Sequence, residues 1–155
     1  MDDNRKEVLH IFESLKKKYN LEDLGYYEDE FFFYIDKPAN IVWEITSTVL
    51  RRTSIIKSAI LGILNPSGFL DGFESKFFTS EDKDELFPVL KRLAALDWES
   101  INAFTKKEEV RIQFLKKAVS TWIDIKPVIE KISNKMSSNW LEQEKQKRKN
   151  DNYIS

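Results

Sequence analysis

Apolar residues recur every three to four positions along four stretches of the chain, and charged residues occupy the opposite side of each stretch. At 100° per residue, this periodicity predicts amphipathic helices that each bury one face. No stretch shows the strict alternation of apolar and polar residues that is typical of a half-buried strand. The predicted helices cover approximately residues 3–19, 36–66, 79–104 and 105–141.

Local signals mark where these helices begin. Asp36 is a suitable N-cap for the second helix, with Pro38 in its first turn. Thr79, followed by acidic residues, marks the start of the third. Thr105 and Glu108 have the spacing of a capping box, in which each side chain accepts a hydrogen bond from the other residue's free backbone amide. The fourth helix is therefore expected to begin there.

Four amphipathic helices predict an all-α fold, specifically a four-helix bundle. Pro127 lies inside the fourth stretch, so we expect one kinked helix or two helices there. Two long connections, residues 20–37 and 65–80, could cross much of the bundle's length. The expected organisation is one helical domain over residues 1–141, followed by a charged, fraying helix end at 142–155.

The two connections contain half of the chain's aromatic residues, which is unlike a disordered loop. One interpretation is that the connections fold against the bundle as a lid or a short strand pair, because burial of aromatic rings is strongly stabilising. The other is an aromatic surface that meets a ligand or a partner. The residues of that candidate surface are Phe31, Phe32, Phe33 and Tyr34.

Composition narrows the functional classes. The 155-residue chain has no cysteine, which excludes disulfides, thiolate metal sites and cysteine nucleophiles. Its formal net charge of −1 predicts no general attraction to nucleic acid or anionic lipid. The beginning of the chain lacks the apolar core of a signal peptide, and no apolar run is long enough for a bilayer. We therefore expect a cytoplasmic protein without nucleic-acid or membrane partners.

Motifs that would indicate catalysis or a cofactor are missing. Glu7 and His10 form one Glu-x-x-His motif, but di-iron bundles use two such motifs, and this chain has a single histidine. Both residues project away from the apolar stripe of the first helix. Gly62, Gly68 and Gly72 fit neither common phosphate-binding loop. The sequence therefore predicts no catalytic residues, no metal and no cofactor.

Two charges fall on apolar stripes: Arg52 on the second predicted helix and Asp97 on the third. An unpaired charge there would be costly. One interpretation is that Arg52 and Asp97 meet each other in an interior ion pair. Otherwise one of them meets Glu99, Thr53 or Thr121. The alternative is a ligand-binding pocket between helices, in which Arg52 holds an anionic group and Asp97 accepts a hydrogen bond.

Two further faces favour self-association, with a dimer as the expected state. Small side chains on one face of the second predicted helix would allow another helix to approach closely, although an ordinary solvated face is the alternative. A second apolar edge on the fourth helix strengthens the expectation of a dimer. The two faces are Ser47, Arg51, Ser54, Ser58 and Gly62, and Ile112, Val119, Ile123 and Leu141.

The chain combines four long predicted helices with a long crossover and has no metal ligands inside. In these respects it resembles small archaeal proteins of uncharacterised function with a ferritin-like bundle. Cobalamin adenosyltransferases share that shape. Their Asn-x-x-Ser-Asp stretch is similar to residues 134–138 here, where the Asp is lost. Arg51 and Arg52 resemble their Arg-Arg pair, on a different helix, and their Gly/Thr-rich N-terminus is absent. We therefore do not expect this chain to bind ATP as those enzymes do.

These observations favour a non-catalytic helical bundle that binds a protein partner or a small ligand. The alternative is a bundle-shaped transferase of the adenosyltransferase kind, with an anion or nucleotide pocket at Arg52 and Asp97.

Overall fold

The computed structural model describes residues 3–151, with side chains described for residues 3–147. Within residues 3–151 the fold is all-α, as predicted, with no strand. The helices are α1 (Asp3–Tyr19), α2 (Leu24–Phe31), α3 (Ile41–Leu64), α4 (Phe69–Ser75), α5 (Ser80–Phe104) and α6 (Glu108–Asp151).

The start of α5 matches the prediction and is held by a reciprocal cap. Asp82 N–H donates to Thr79 Oγ1 (3.2 Å), and Thr79 N–H donates to Asp82 Oδ2 (2.9 Å). Lys135 of α6 also donates to the Asp82 carboxylate. This cap satisfies free amide groups at the helix end, and the contact with Lys135 joins α5 to α6 at the same point.

Replacement of Asp82 by Asn is expected to lower the free energy of unfolding at neutral pH by about 1–2 kcal/mol. Mainly because of the Lys135 hydrogen bond, and then the Thr79 amide, the pKa of Asp82 falls from 3.8 to about 2. Since the folded-state pKa is the lower one, the stabilisation is complete above about pH 4 and is lost as the pH falls toward 2. Urea titrations at several pH values should show the difference between the two proteins shrinking over that range. Asp84→Asn, at an exposed position of α5, is the control, and a pH-independent difference would contradict this assignment.

The second predicted helix begins later than expected. Its first residue is Ile41, and the turn before it ends at Asn40, which has a left-handed backbone (φ 61°) and accepts the Glu44 amide. Asp36 is therefore not the N-cap, and Pro38 lies before the helix. Proline also disfavours helical geometry at the residue that precedes it.

The predicted Thr105–Glu108 capping box does not form. Thr105 Oγ1 instead donates to the Asn102 carbonyl (2.8 Å), at the C-terminal end of α5. The hydroxyl is therefore used by the preceding helix, and α6 begins at Glu108. Of the two alternatives at Pro127, one kinked helix or two helices, the structure has a single helix, because α6 is continuous from Glu108 to Asp151 with Pro127 exposed within it.

Each long connection contains a short helix, α2 or α4, where a strand pair was one expectation. The aromatic rings divide between inside and outside. Tyr27 and Phe31 of the first connection are buried, as is Phe78 of the second, whereas Phe69 is 93% exposed. The connections thus contribute to the core through some of their rings.

One compact unit consists of Met1–Ile55 with Arg92–Ile123. α2 is held there by Trp122 of α6, which donates from Nε1 to Glu30 (2.7 Å) and packs against the Phe31 ring at 5.6 Å between centroids. The most deeply buried apolar side chains of this unit include Val8, Phe31, Ile35, Ile45, Val49, Leu93, Leu96, Ile112, Leu115 and Ala118.

The other unit consists of Ile56–Lys91 with Asp124–Ser155. α4 is tied to the end of α3 because Ser75 Oγ donates to the Ile63 carbonyl (2.7 Å). Phe73, Phe77 and Trp140 form an aromatic cluster between α4 and α6, with ring centroids 5.2–5.9 Å apart. Such ring pairs contribute beyond the area they bury.

Candidate functional site

Arg52 and Asp97, the two charges predicted on apolar stripes, are both half-buried. Arg52 Nη2 donates to the Phe31 carbonyl (3.3 Å), and its guanidinium lies 5.6 Å from the Phe32 ring centroid. Asp97 Oδ1 accepts a long hydrogen bond from Ser54 Oγ (3.5 Å). Arg52 thus contacts the C-terminal end of α2, and Asp97 contacts Ser54 of α3.

The candidate aromatic surface is divided by burial. Phe31 is fully buried and is therefore a core residue, and Phe33 is half-buried. Phe32 and Tyr34 are 80% and 65% exposed. Each of these two rings lies beside an arginine, Phe32 beside Arg52 and Tyr34 beside Arg5 at 4.4 Å. The exposed part is thus two separate rings, each beside a cation.

A buried ion pair does exist, at residues for which we had predicted no role. Arg5 of α1 binds Glu28 of α2 through two hydrogen bonds of 2.6 Å, and both side chains are about nine-tenths buried. Arg5 also donates to the Ile35 carbonyl (2.7 Å), and the Ile35 amide donates to Glu28 (3.0 Å). The Glu28 hydrogen bond raises the pKa of Arg5. The indication in the sequence is that Arg5 lies three positions before Val8, which is buried, and therefore on the same side of α1.

The self-association faces are partly used within the chain. Ser54 donates a hydrogen bond to Asp97. Gly62 lies so close to Asp71 that a Cβ added at Gly62 would be 3.3 Å from the carboxylate. On the predicted apolar edge of α6, Ile112 and Val119 are buried in this chain's own core. Part of each face is therefore in contact with other residues of the same chain.

Glu7 and His10 are both exposed, as their projection predicts. Within the described residues, no group of three His, Cys, Asp or Glu side chains is placed to hold a metal ion. No helix in the described part of the chain combines the length and apolar character needed to cross a membrane.

A cavity of about 210 Å³ lies where α1 meets the N-terminal ends of α3 and α6. Its wall combines aliphatic side chains with an arginine, a glutamate and an asparagine. We call it the Arg111 cavity. Its lining residues are Ile11, Leu15, Pro38, Asn40, Ile41, Val42, Trp43, Glu108 and Arg111.

Arg111 is the unusual residue of this wall. Its Nε is buried and has no hydrogen-bond partner in the described part of the chain. A buried donor on a charged group without an acceptor destabilises the protein by about 1–3 kcal/mol or more. The position adds to that cost, because a cation near a helix N-terminus opposes the helix dipole. The free protein thus retains a buried donor without an acceptor in the cavity wall.

Glu108 does not neutralise Arg111. Its Oε1 accepts a hydrogen bond from the Tyr19 hydroxyl (3.0 Å) and lies 3.8 Å from Lys18 Nζ. Glu108 is therefore already paired on the α1 side. Within the described residues, no acceptor lies on Arg111 Nε.

The N-terminal end of a helix also lies at the cavity. The first N–H groups of a helix have no acceptor within the helix, and here the first turn of α3, Ile41 to Trp43, lines the cavity. Such N–H groups, together with the helix dipole, favour negative charge. The arrangement can hold an anion, with Arg111 as the charged partner.

Little in the sequence indicates this cavity, because Arg111 lies in a charged stretch, Lys106 to Arg111, that is typical of a solvated helix start. The comparisons with known proteins bring nothing further: no protein-family model, no curated protein and no solved structure matches the chain. Function is therefore inferred from the chemistry of the cavity itself.

Proposed function

We propose that this protein is a ligand-binding module and that a small anion binds in the Arg111 cavity. The observation that carries the proposal is the buried Arg111 Nε, which has no acceptor within the described chain. An anion in the cavity would pair with the positive charge of the Arg111 guanidinium, to which this Nε belongs.

For the architecture, we propose that the four long helices α1, α3, α5 and α6 form a bundle of the ferritin-like kind, with α6 bent at Pro127. Each of the four has a buried apolar stripe, which is the pattern that bundle packing requires. α2 and α4 lie within the two crossovers.

Binding is favoured over group transfer by what lines the cavity. Its one carboxylate, Glu108, is paired with Tyr19 and Lys18, and no histidine, serine or lysine side chain lines it. General acid–base or nucleophilic catalysis needs such groups within hydrogen-bond reach of the reacting atoms. The side chains of the wall are therefore suited to binding a ligand rather than to catalysing a reaction on it.

The test is Arg111→Met, followed by isothermal titration calorimetry with two probe anions, benzoate and inorganic phosphate. We expect at least one anion to bind the wild-type protein with a dissociation constant of about a millimolar or tighter, and Arg111→Met to weaken it by at least about tenfold. The free Arg111→Met protein should be as stable as the wild type, or more stable by about 1 kcal/mol, because the unsatisfied donor is gone.

Lys106→Met is the matched control. It removes the same charge from an exposed position before α6 and should leave binding unchanged. If neither anion binds, or if Arg111→Met binds as well as the wild type, the proposed function is wrong. A large loss of stability in Arg111→Met would show that the guanidinium is structural.

A further inference from the structure

We infer that the ligand of the Arg111 cavity is a small monocarboxylate with a compact apolar body. The inference rests on the proposed anion-binding function and adds the class of anion. It follows from three features of the wall: its charge, its aliphatic side and its size.

The charge of the wall favours a single negative charge on the ligand. Arg111 contributes one positive charge to the wall, whereas the Glu108 carboxylate shares Lys18 with Glu109, at 3.8 and 4.0 Å. A monoanion would neutralise Arg111 and add no further negative charge beside these carboxylates. A phosphate dianion would bring one uncompensated negative charge close to the Glu108 carboxylate, which is unfavourable in a partly desolvated cavity.

The guanidinium geometry is consistent with a carboxylate. Its planar set of N–H donors can bind both oxygens of one carboxylate in parallel. The first turn of α3, whose N–H groups have no acceptor within the helix, also lines the cavity.

The opposite side of the wall is hydrocarbon. Ile11, Leu15 and Val42 are half-buried side chains that face the cavity from α1 and α3. A fully hydrated anion such as phosphate would lose water there without compensation. The apolar body of a carboxylic acid would instead gain from burial, by about fourfold in affinity per buried methylene group.

The volume sets an upper limit on the ligand. At about 210 Å³ the cavity is smaller than the roughly 300–1,000 Å³ of pockets that take drug-sized ligands. A branched short-chain or single-ring carboxylate suits this space, whereas a nucleotide or corrinoid does not.

A series of five probes tests the inference by calorimetry on the full chain: acetate, isobutyrate, benzoate, benzamide and inorganic phosphate. Affinity should rise from acetate to isobutyrate to benzoate, by at least about tenfold in total. Benzamide has nearly the shape of benzoate without its charge and should bind at least about tenfold more weakly. Phosphate should also be weaker than benzoate.

A variant of the apolar wall gives a second readout. Leu15→Ala should weaken benzoate several-fold and leave acetate unchanged, because only the larger ligand reaches the aliphatic side. Far-ultraviolet circular dichroism would verify that the variant is folded.

The outcomes separate this inference from the proposed function. Phosphate binding as tightly as benzoate, or equal affinity for acetate and benzoate, would overturn the monocarboxylate inference and leave anion binding by Arg111 in place. Benzamide binding as tightly as benzoate would overturn both. Absence of binding by every anion would overturn the proposed function itself.

Discussion

Replacement of Glu28 by alanine is expected to lower the free energy of unfolding by about 3–5 kcal/mol, the usual cost of leaving one charge of a buried ion pair without its partner. The side chains of Arg5 and Glu28 are only about one-tenth exposed, and among the described residues no other carboxylate contacts the Arg5 guanidinium. The thermal midpoint should fall by roughly 10 °C or more. Thermal and urea unfolding both measure the loss.

Two further variants make the Glu28 prediction specific. Lys6→Ala breaks an exposed pair with Asp3 on the same helix and should change stability by less than about 0.5 kcal/mol. The double variant Arg5→Met with Glu28→Leu should regain much of the loss, because two apolar side chains need no partner. A single Glu28→Ala variant that loses under 1 kcal/mol would contradict the proposed burial of this pair.

Replacement of Phe31 by alanine is expected to lower the free energy of unfolding by about 3–5 kcal/mol. The ring is fully buried and packs against Trp122, so its removal leaves a cavity at the site where α2 meets α6. Trp122 fluorescence should also change, because the indole loses its neighbour while keeping its hydrogen bond to Glu30. Chemical unfolding and the emission spectrum are the two measurements.

The neighbouring ring is the natural control. Phe32 is 80% exposed, and the Arg52 guanidinium lies beside its ring. Phe32→Ala should therefore cost less than about 1 kcal/mol. Equal losses at Phe31 and Phe32 would be incompatible with the burial described for these adjacent residues.

Local patterns predicted the long helices well, because amphipathic periodicity and caps act over a few neighbouring residues. Thr79 and Asp82 show this, since the cap they form is contained in four consecutive positions. The Thr105 prediction was wrong for a related reason. Its hydroxyl has two helix ends within reach, and the sequence does not say which end it satisfies.

The buried charges show where sequence reasoning was insufficient. Arg52 and Asp97, the two charges on apolar stripes, are only half-buried, and they contact the Phe31 carbonyl and the Ser54 hydroxyl. Arg5 and Glu28 are 23 positions apart, and Glu28 lies in a connection without a long periodic pattern. A helical projection cannot identify a pair whose second member belongs to another element.

The sequence by itself determined the all-α class and the approximate extents of α1, α3 and α5, because these depend on side-chain spacing within each segment. Tertiary structure alone decided the Arg5–Glu28 pair, the burial of Phe31 beside exposed Phe32, and the unsatisfied Arg111 Nε. These features depend on which segments meet in space. Burial and hydrogen bonding depend on contacts between segments, and the order of residues along one segment does not determine those contacts.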